Sequence, residues 1–75
     1  MTWKKLSDLL GYSCYRAFDG TGRLMFEITQ EHRSNGLFDV YDCRALPYRH
    51  LGRYRTLAQA QAIMDAKTSG FSAFA

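Results

Sequence analysis

Hydrophobic and polar residues alternate through the middle of the chain. Apolar side chains occupy every second position in residues 24–28, and Phe38 and Val40 repeat the pattern further along. Alternation with a period of two is typical of a half-buried β-strand. Two further strands are predicted at residues 12–18 and 48–55. Residues that favour turns or bends separate the four segments, at 19–22, 34–36 and 44–47.

The pattern changes to a helical period after Thr56. Four residues share one arc at about 100° per residue, namely Leu57, Ala60, Ile63 and Met64. Thr56 predicts the N-cap of this helix, and Gln59 three residues later completes a capping box. Gly70 lies just past the pattern and is predicted to end the helix. A helix of about twelve residues is marginal alone in water, so we expect it to pack on the strands.

The first residues predict a second, short helix. Trp3, Leu6 and Leu10 are spaced to share one helical face, with Thr2 as the cap and Gly11 as the stop. The whole sequence therefore predicts an α+β fold in a single small domain, residues 1–75. It comprises a three- to four-stranded antiparallel sheet, one long C-terminal helix packed on one face, and the short N-terminal helix.

The residues that carry chemistry are few. We expect Cys14 and Cys43 to be reduced thiols, because strands one and three of a meander are separated by the middle strand. A zinc site would need these two cysteines with His32 and His50, but no two of the four have the close spacing of zinc ligands. Neither histidine has an evident nucleophile beside it. We therefore predict no enzyme activity, no cofactor and no metal.

Charge is distributed unevenly along the chain, whose formal net charge is +3. Residues 19–42 carry five acids against two arginines, whereas residues 43–55 carry four arginines and no acid, namely Arg44, Arg49, Arg53 and Arg55. In the last extended segment Arg49, Arg53 and Arg55 are predicted to lie on one face. Such a stripe would bind phosphates or an acidic protein surface, or would only protect an edge strand from aggregation.

The last third of the chain resembles a known DNA-binding family. Leu51-Gly52-Arg53-Tyr54-Arg55-Thr56, followed by Ala60, Asp65 and Ala66, is similar to the end of the plant ethylene-response-factor domain and of related integrase N-terminal domains. The resemblance implies three antiparallel strands and an alanine-rich helix. In that family the sheet enters the major groove, and arginine and tryptophan read bases from the face away from the helix.

This chain departs from that family on the same face of the sheet. The face away from the helix is predicted to present mixed apolar and acidic residues, namely Met25, Glu27, Leu37, Asp39 and Tyr41. Carboxylates there would repel phosphate. The residues therefore favour a small, non-catalytic protein-binding module that uses these five positions.

The alternative prediction is a DNA-binding accessory protein that uses Arg44, Arg49, Arg53 and Arg55. Small proteins of the first class are typical of phage and mobile elements, where some inhibit host defence in the manner of anti-CRISPR proteins. The candidate partners are an unidentified protein, a second copy of the chain, and nucleic acid. No membrane partner is expected, because no apolar run exceeds three residues, and we expect a cytoplasmic location.

Overall fold

Five strands and one helix form the protein, as shown by a computed structural model that describes residues 1–9, 12–31 and 36–73. The elements are β1 Thr2–Leu9, β2 Tyr12–Phe18, β3 Leu24–Glu31, β4 Phe38–Asp42, β5 Arg49–Tyr54 and α1 Leu57–Ala73. The strands pair antiparallel in the order β1-β2-β3-β4-β5. The predicted α+β class is confirmed, but the sheet has five strands rather than three or four.

The predicted N-terminal helix is wrong, because Thr2–Leu9 forms strand β1. This segment pairs with β2 along its whole length, from Thr2 opposite Phe18 to Leu9 opposite Tyr12. An eight-residue helix would have satisfied few backbone groups, whereas pairing with a long neighbouring strand satisfies a row of them. Its predicted last residues, Leu10 and Gly11, lie outside the described residues.

The core lies between the sheet and α1. Its buried members are Ala17, Phe26, Ile28, Phe38, Val40, Ala60 and Met64. They come from β2, β3, β4 and one face of the helix, as the two hydrophobic periods predict. At the β1 edge of the sheet, Trp3 packs against this cluster, and its indole Nε1 donates to Asp65 Oδ1 at 3.3 Å. The helix therefore reaches from β5 to β1 across one face of the sheet.

The predicted start of α1 is confirmed, and its predicted end is wrong. The backbone N–H of Gln59 donates to Thr56 Oγ1 at 3.1 Å, as an N-cap requires. The helix continues through Gly70 to Ala73, which makes it 17 residues long. Glycine lowers helix stability without forbidding the conformation, so a helix supported by packing can continue through it. Phe74 lies outside the described residues.

The β2–β3 connection is a tight turn, as predicted. Asp19 Oδ1 accepts hydrogen bonds from the backbone N–H groups of Thr21 and Arg23, at 2.9 and 3.0 Å, and from the Thr21 hydroxyl at 2.6 Å. Gly22 has a φ of 86°, which a residue with a side chain rarely adopts. At the end of the next turn Gly36 has a φ of 68°. His32, Ser34 and Asn35 lie outside the described residues.

An irregularity in the pairing of β4 with β5 breaks the predicted arginine stripe. Arg53 pairs with Asp39, whereas Arg49 pairs with Asp42 beyond a register shift at Val40 and Tyr41. Asp42 in turn pairs with the buried Phe26. Since paired residues share a face of the sheet, Arg49 and Arg53 lie on opposite faces. The prediction of one stripe is therefore wrong, because it assumed unbroken alternation through β5.

The described helix does not have the length and hydropathy needed to span a membrane. Within this helix, the apolar side chain of Met64 is fully buried in the core between α1 and the sheet.

Met64→Ala should therefore lower the free energy of unfolding by about 2–5 kcal/mol, because it removes a buried side chain and leaves a cavity. Lys67→Ala, at an exposed position of the same helix, is the matched control and should change it by less than about 0.5 kcal/mol. Urea unfolding followed by circular dichroism measures both. Equal stability of the two variants would contradict the packing of α1.

Candidate functional site

The helix covers one face of the sheet and leaves the other uncovered. We call the uncovered side the outer face. Cross-strand pairing places its central side chains in two rows, because residues opposite each other in an antiparallel sheet share a face. The first row contains Lys4, Arg16, Glu27, Tyr41 and His50, and the second contains Cys14, Thr29, Asp39 and Arg53. Cys14 and Thr29 are buried within their row, and Glu31 follows Thr29 on the same side of β3. The outer face is therefore a continuous surface that includes all five strands.

The first row contains an ion pair and an aromatic pair. Arg16 Nε donates to Glu27 Oε2 at 2.8 Å, and the carboxylate is mostly buried, with 15% of its side chain exposed. Next to it, the rings of Tyr41 and His50 meet edge to face, with centroids 5.2 Å apart. At the other end of the row, the ammonium of Lys4 lies 5.6 Å from the centre of the Phe18 ring.

Asp39 joins the two rows. Its Oδ1 atom accepts from Arg53 Nε at 2.8 Å and lies 3.0 Å from Nε2 of His50. Burial favours the neutral form of Asp39, but the hydrogen bonds from Arg53 and His50 outweigh it and hold the pKa of Asp39 below its usual value. Similarly, the hydrogen bond to Glu27 raises the pKa of Arg16. Asp39 is therefore ionised at neutral pH, and each carboxylate orients its partners.

Three of the five residues predicted for protein binding lie together on the outer face: Glu27, Tyr41 and Asp39. Met25 lies at an irregularity of the β2–β3 pairing and packs against the core cluster. Leu37 directly precedes β4 and is half-buried. The structure thus brings the polar and aromatic members together and places the two aliphatic members elsewhere.

The four arginines predicted for nucleic-acid binding are dispersed. Arg44 is held by Asp42, with hydrogen bonds from its Nε, Nη2 and backbone N–H, and its guanidinium lies 5.3 Å from the centre of the Phe26 ring. Arg53 is bound to Asp39. Arg49 and Arg55 are exposed. Only the last two are thus held by no carboxylate among the described residues.

The cysteines do not form a reactive pair. Cys14 in β2 and Cys43 after β4 are free, buried thiols with strand β3 between them, which is the predicted meander order. Burial raises the pKa of both thiols, that of Cys43 to about 11. Protonated thiols are poor nucleophiles and poor metal ligands at neutral pH. Within the described ranges, no group of three potential ligand side chains could hold a metal ion.

Two members of the outer-face network, Arg16 and His50, were missed in the sequence. Arg16 becomes the partner of Glu27 only through the register of β2 against β3. His50 reaches the outer face because the irregularity in β5 places it and Arg53 on the same side. A search for opposite charges at alternating positions of neighbouring strands would have suggested the pairing of Arg16 with Glu27. The sequence carries no signal for the position of His50.

Gly52 explains part of the motif that resembles the DNA-binding family. A Cβ atom at this position would lie 3.1 Å from the hydroxyl oxygen of Tyr54, so the glycine leaves room for that ring. Tyr54 in turn packs against the core cluster. The Gly-x-aromatic spacing therefore has a packing role in this fold.

Stability should decrease on acidification below about pH 4, because the folded-state pKa values of Asp19, Asp39 and Asp42 all lie below the ordinary value of 3.8. A depressed pKa contributes stability above the unfolded-state pKa, and this contribution is lost as the pH falls through the folded-state pKa. Asp39→Asn should lower stability at pH 7 and make the acid loss shallower. Urea unfolding at pH 2–7 measures both effects.

Arg53→Gln should also make the acid loss shallower, since it removes a hydrogen bond that favours ionised Asp39. Arg55→Gln is the matched control two positions away and should leave the curve unchanged. Parallel curves for the wild type and Asp39→Asn would contradict the proposed network.

Comparison with protein-family models, with curated proteins and with solved structures found no match to this chain. The resemblance to the ethylene-response-factor and integrase domains therefore stays a prediction. The function has to be argued from the geometry of the outer face itself.

Proposed function

We propose that the protein is a non-catalytic binding module that holds a protein partner on its outer face. The observation that carries this proposal is a sheet with the helix on one face only, whose opposite face has two arginine–carboxylate pairs around Tyr41. Arg16 neutralises Glu27 and Arg53 neutralises Asp39, while His50 lies within hydrogen-bond distance of the same Asp39 oxygen. Tyr41 lies between the two groups, in contact with His50 and opposite Glu27.

Such a surface suits a protein interface because its side chains are already ordered. A partner that binds loose side chains must immobilise them, at a cost of about 0.5–1.5 kcal/mol for each. Here the two carboxylates hold two arginines and a histidine in place before binding. Tyrosine and arginine are enriched among the residues that dominate binding energy at interfaces. Tyr41 is therefore the expected centre of the interface.

The paired charges favour protein over nucleic acid at this face. Binding of a phosphate backbone relies on cations that exchange small counterions for phosphates. Arg16 and Arg53 already contact carboxylates, and a phosphate would have to compete with those contacts. Since the outer face has little uncompensated positive charge, phosphate contacts there would add little to binding.

DNA binding is the second candidate, and one observation favours it. Arg49 and Arg55 are exposed, and neither is held by a carboxylate in the described part of the chain. They flank β5 at the edge of the sheet. This arrangement could contact a duplex backbone without disturbing the outer face, as an accessory DNA-binding protein would.

A module without catalytic groups acts by occupying a surface of its partner. An inhibitory role of the kind found in phage and mobile elements is proposed here by analogy of size and class.

The experiment that separates the two candidates is affinity capture from a lysate of the source cells, with and without nuclease, followed by measurement of Kd for the purified partner. Tyr41→Ala should weaken binding to the captured protein about tenfold or more. Arg55→Gln, at an exposed position after β5, is the matched control and should leave that affinity unchanged. Nuclease treatment should not alter the capture.

The opposite pattern would contradict the protein-binding proposal. Binding to duplex DNA that survives Tyr41→Ala and is lost with Arg49→Gln/Arg55→Gln would favour the second candidate. With two phosphate contacts, the slope of log K against log salt concentration would then be about −1.8.

A further inference from the structure

The connection between β4 and β5 exposes several apolar side chains close together. Residues 45–48 are Ala-Leu-Pro-Tyr, and all four are exposed. The Leu46 side chain is 85% exposed, and that of Tyr48 is 43% exposed. Single exposed apolar residues are ordinary on protein surfaces, but three around one proline, all exposed, are unfavourable unless they serve binding.

The base of this loop is fixed to the rest of the fold. Arg44 makes three hydrogen bonds to the Asp42 carboxylate, and its guanidinium lies over the Phe26 ring. The carbonyl of Arg44 accepts from Arg23 Nη2 at 3.2 Å. The backbone N–H of Cys43 donates to the carbonyl of Met25 at 2.9 Å. The exposed residues therefore follow a segment that hydrogen bonds fix in place, which limits the entropy that the loop loses on binding.

Positive charge surrounds the loop. Arg44 and Arg23 meet at its base, and Arg49 follows it directly. Asp42 is the carboxylate that holds Arg44, and only 19% of its side chain is exposed. Residues 43–55 contain four arginines and no acid. An apolar tip in a basic surround is complementary to an apolar pocket with a carboxylate rim.

The loop is close to the outer face. His50, a member of the first row, follows Tyr48 by two positions and pairs with Tyr41, so the loop joins the sheet beside that row. A partner seated on Tyr41 could therefore reach the loop without leaving the same side of the molecule.

We propose that residues 45–48 form an anchor that inserts Leu46 into an apolar pocket of a protein partner, with carboxylates of that partner contacting Arg23 and Arg49. The inference rests on the proposed role as a protein-binding module and adds the chemistry of its partner.

A protein pocket fits these observations better than a lipid surface. One leucine with one tyrosine offers little apolar area for stable attachment to a membrane. A pocket, in contrast, encloses a single side chain completely, and such enclosed side chains dominate many interfaces. The anchored loop base also suits insertion into a preformed cavity.

The test selects binders of the full chain from a displayed library of small folded scaffold domains with a randomised surface. We expect most independent binders to carry Asp or Glu around an apolar cavity. They should lose about tenfold or more in affinity for Leu46→Ser/Tyr48→Ser. Leu6→Ser, an exposed leucine on β1 at the opposite edge of the sheet, is the matched control and should not alter affinity. Circular dichroism should show unchanged melting temperatures, because these side chains are exposed.

The outcomes separate the loop from the outer face. Binders that are insensitive to the loop variant but lost with Tyr41→Ala would overturn the anchor and leave the outer-face proposal standing. Binders lost with the loop variant and insensitive to Tyr41→Ala would support the anchor and count against the outer face. Binders without acidic residues would overturn the anchor. So would loop-dependent binding of the wild-type chain to phosphatidylserine–phosphatidylcholine vesicles or to duplex DNA.

Discussion

The structure depends on how one helix covers one side of a five-stranded sheet. Ala60 and Met64 are fully buried against Phe26, Ile28 and Val40, and this packing supplies the core. A chain of 75 residues has one long helix in its described part, so only one face of the sheet can be covered in this way. The same constraint that makes the core possible leaves the opposite face in contact with solvent.

The outer face is in contact with solvent, and it presents charged side chains there rather than a large apolar area. Two of its carboxylates, Glu27 and Asp39, are each bound by an arginine whose side chain is more exposed than the carboxylate. Each exposed ion pair contributes little to stability by itself. Their main effect is to orient the side chains around Tyr41, which connects the fold to the proposed binding role. The loop at 45–48 extends this surface with apolar area that the paired charges lack.

The sequence predicts the helix and strands that have a clear hydrophobic period. It fails where strand pairing overrides the local preference of a segment for helix. The central strands, the Thr56 cap and the buried arc of α1 follow from alternation and capping. Strand β1 does not, because the spacing of Trp3 and Leu6 suits a helix while the available hydrogen bonds come from β2. The site was predicted in part. Glu27, Asp39 and Tyr41 follow from alternation, whereas the positions of His50 and Arg53 depend on an irregularity in β5 that no local pattern indicates.

The central claim is that the outer face is already ordered before any partner binds. Hydrogen exchange of the arginine Nε–H groups, measured by NMR on the free protein, tests it most directly. The account predicts slow exchange and dispersed resonances for Arg16 and Arg53, whose Nε atoms each donate to a carboxylate at 2.8 Å, and fast exchange for the exposed Arg49 and Arg55. Fast exchange of all four, with coincident resonances, would contradict it.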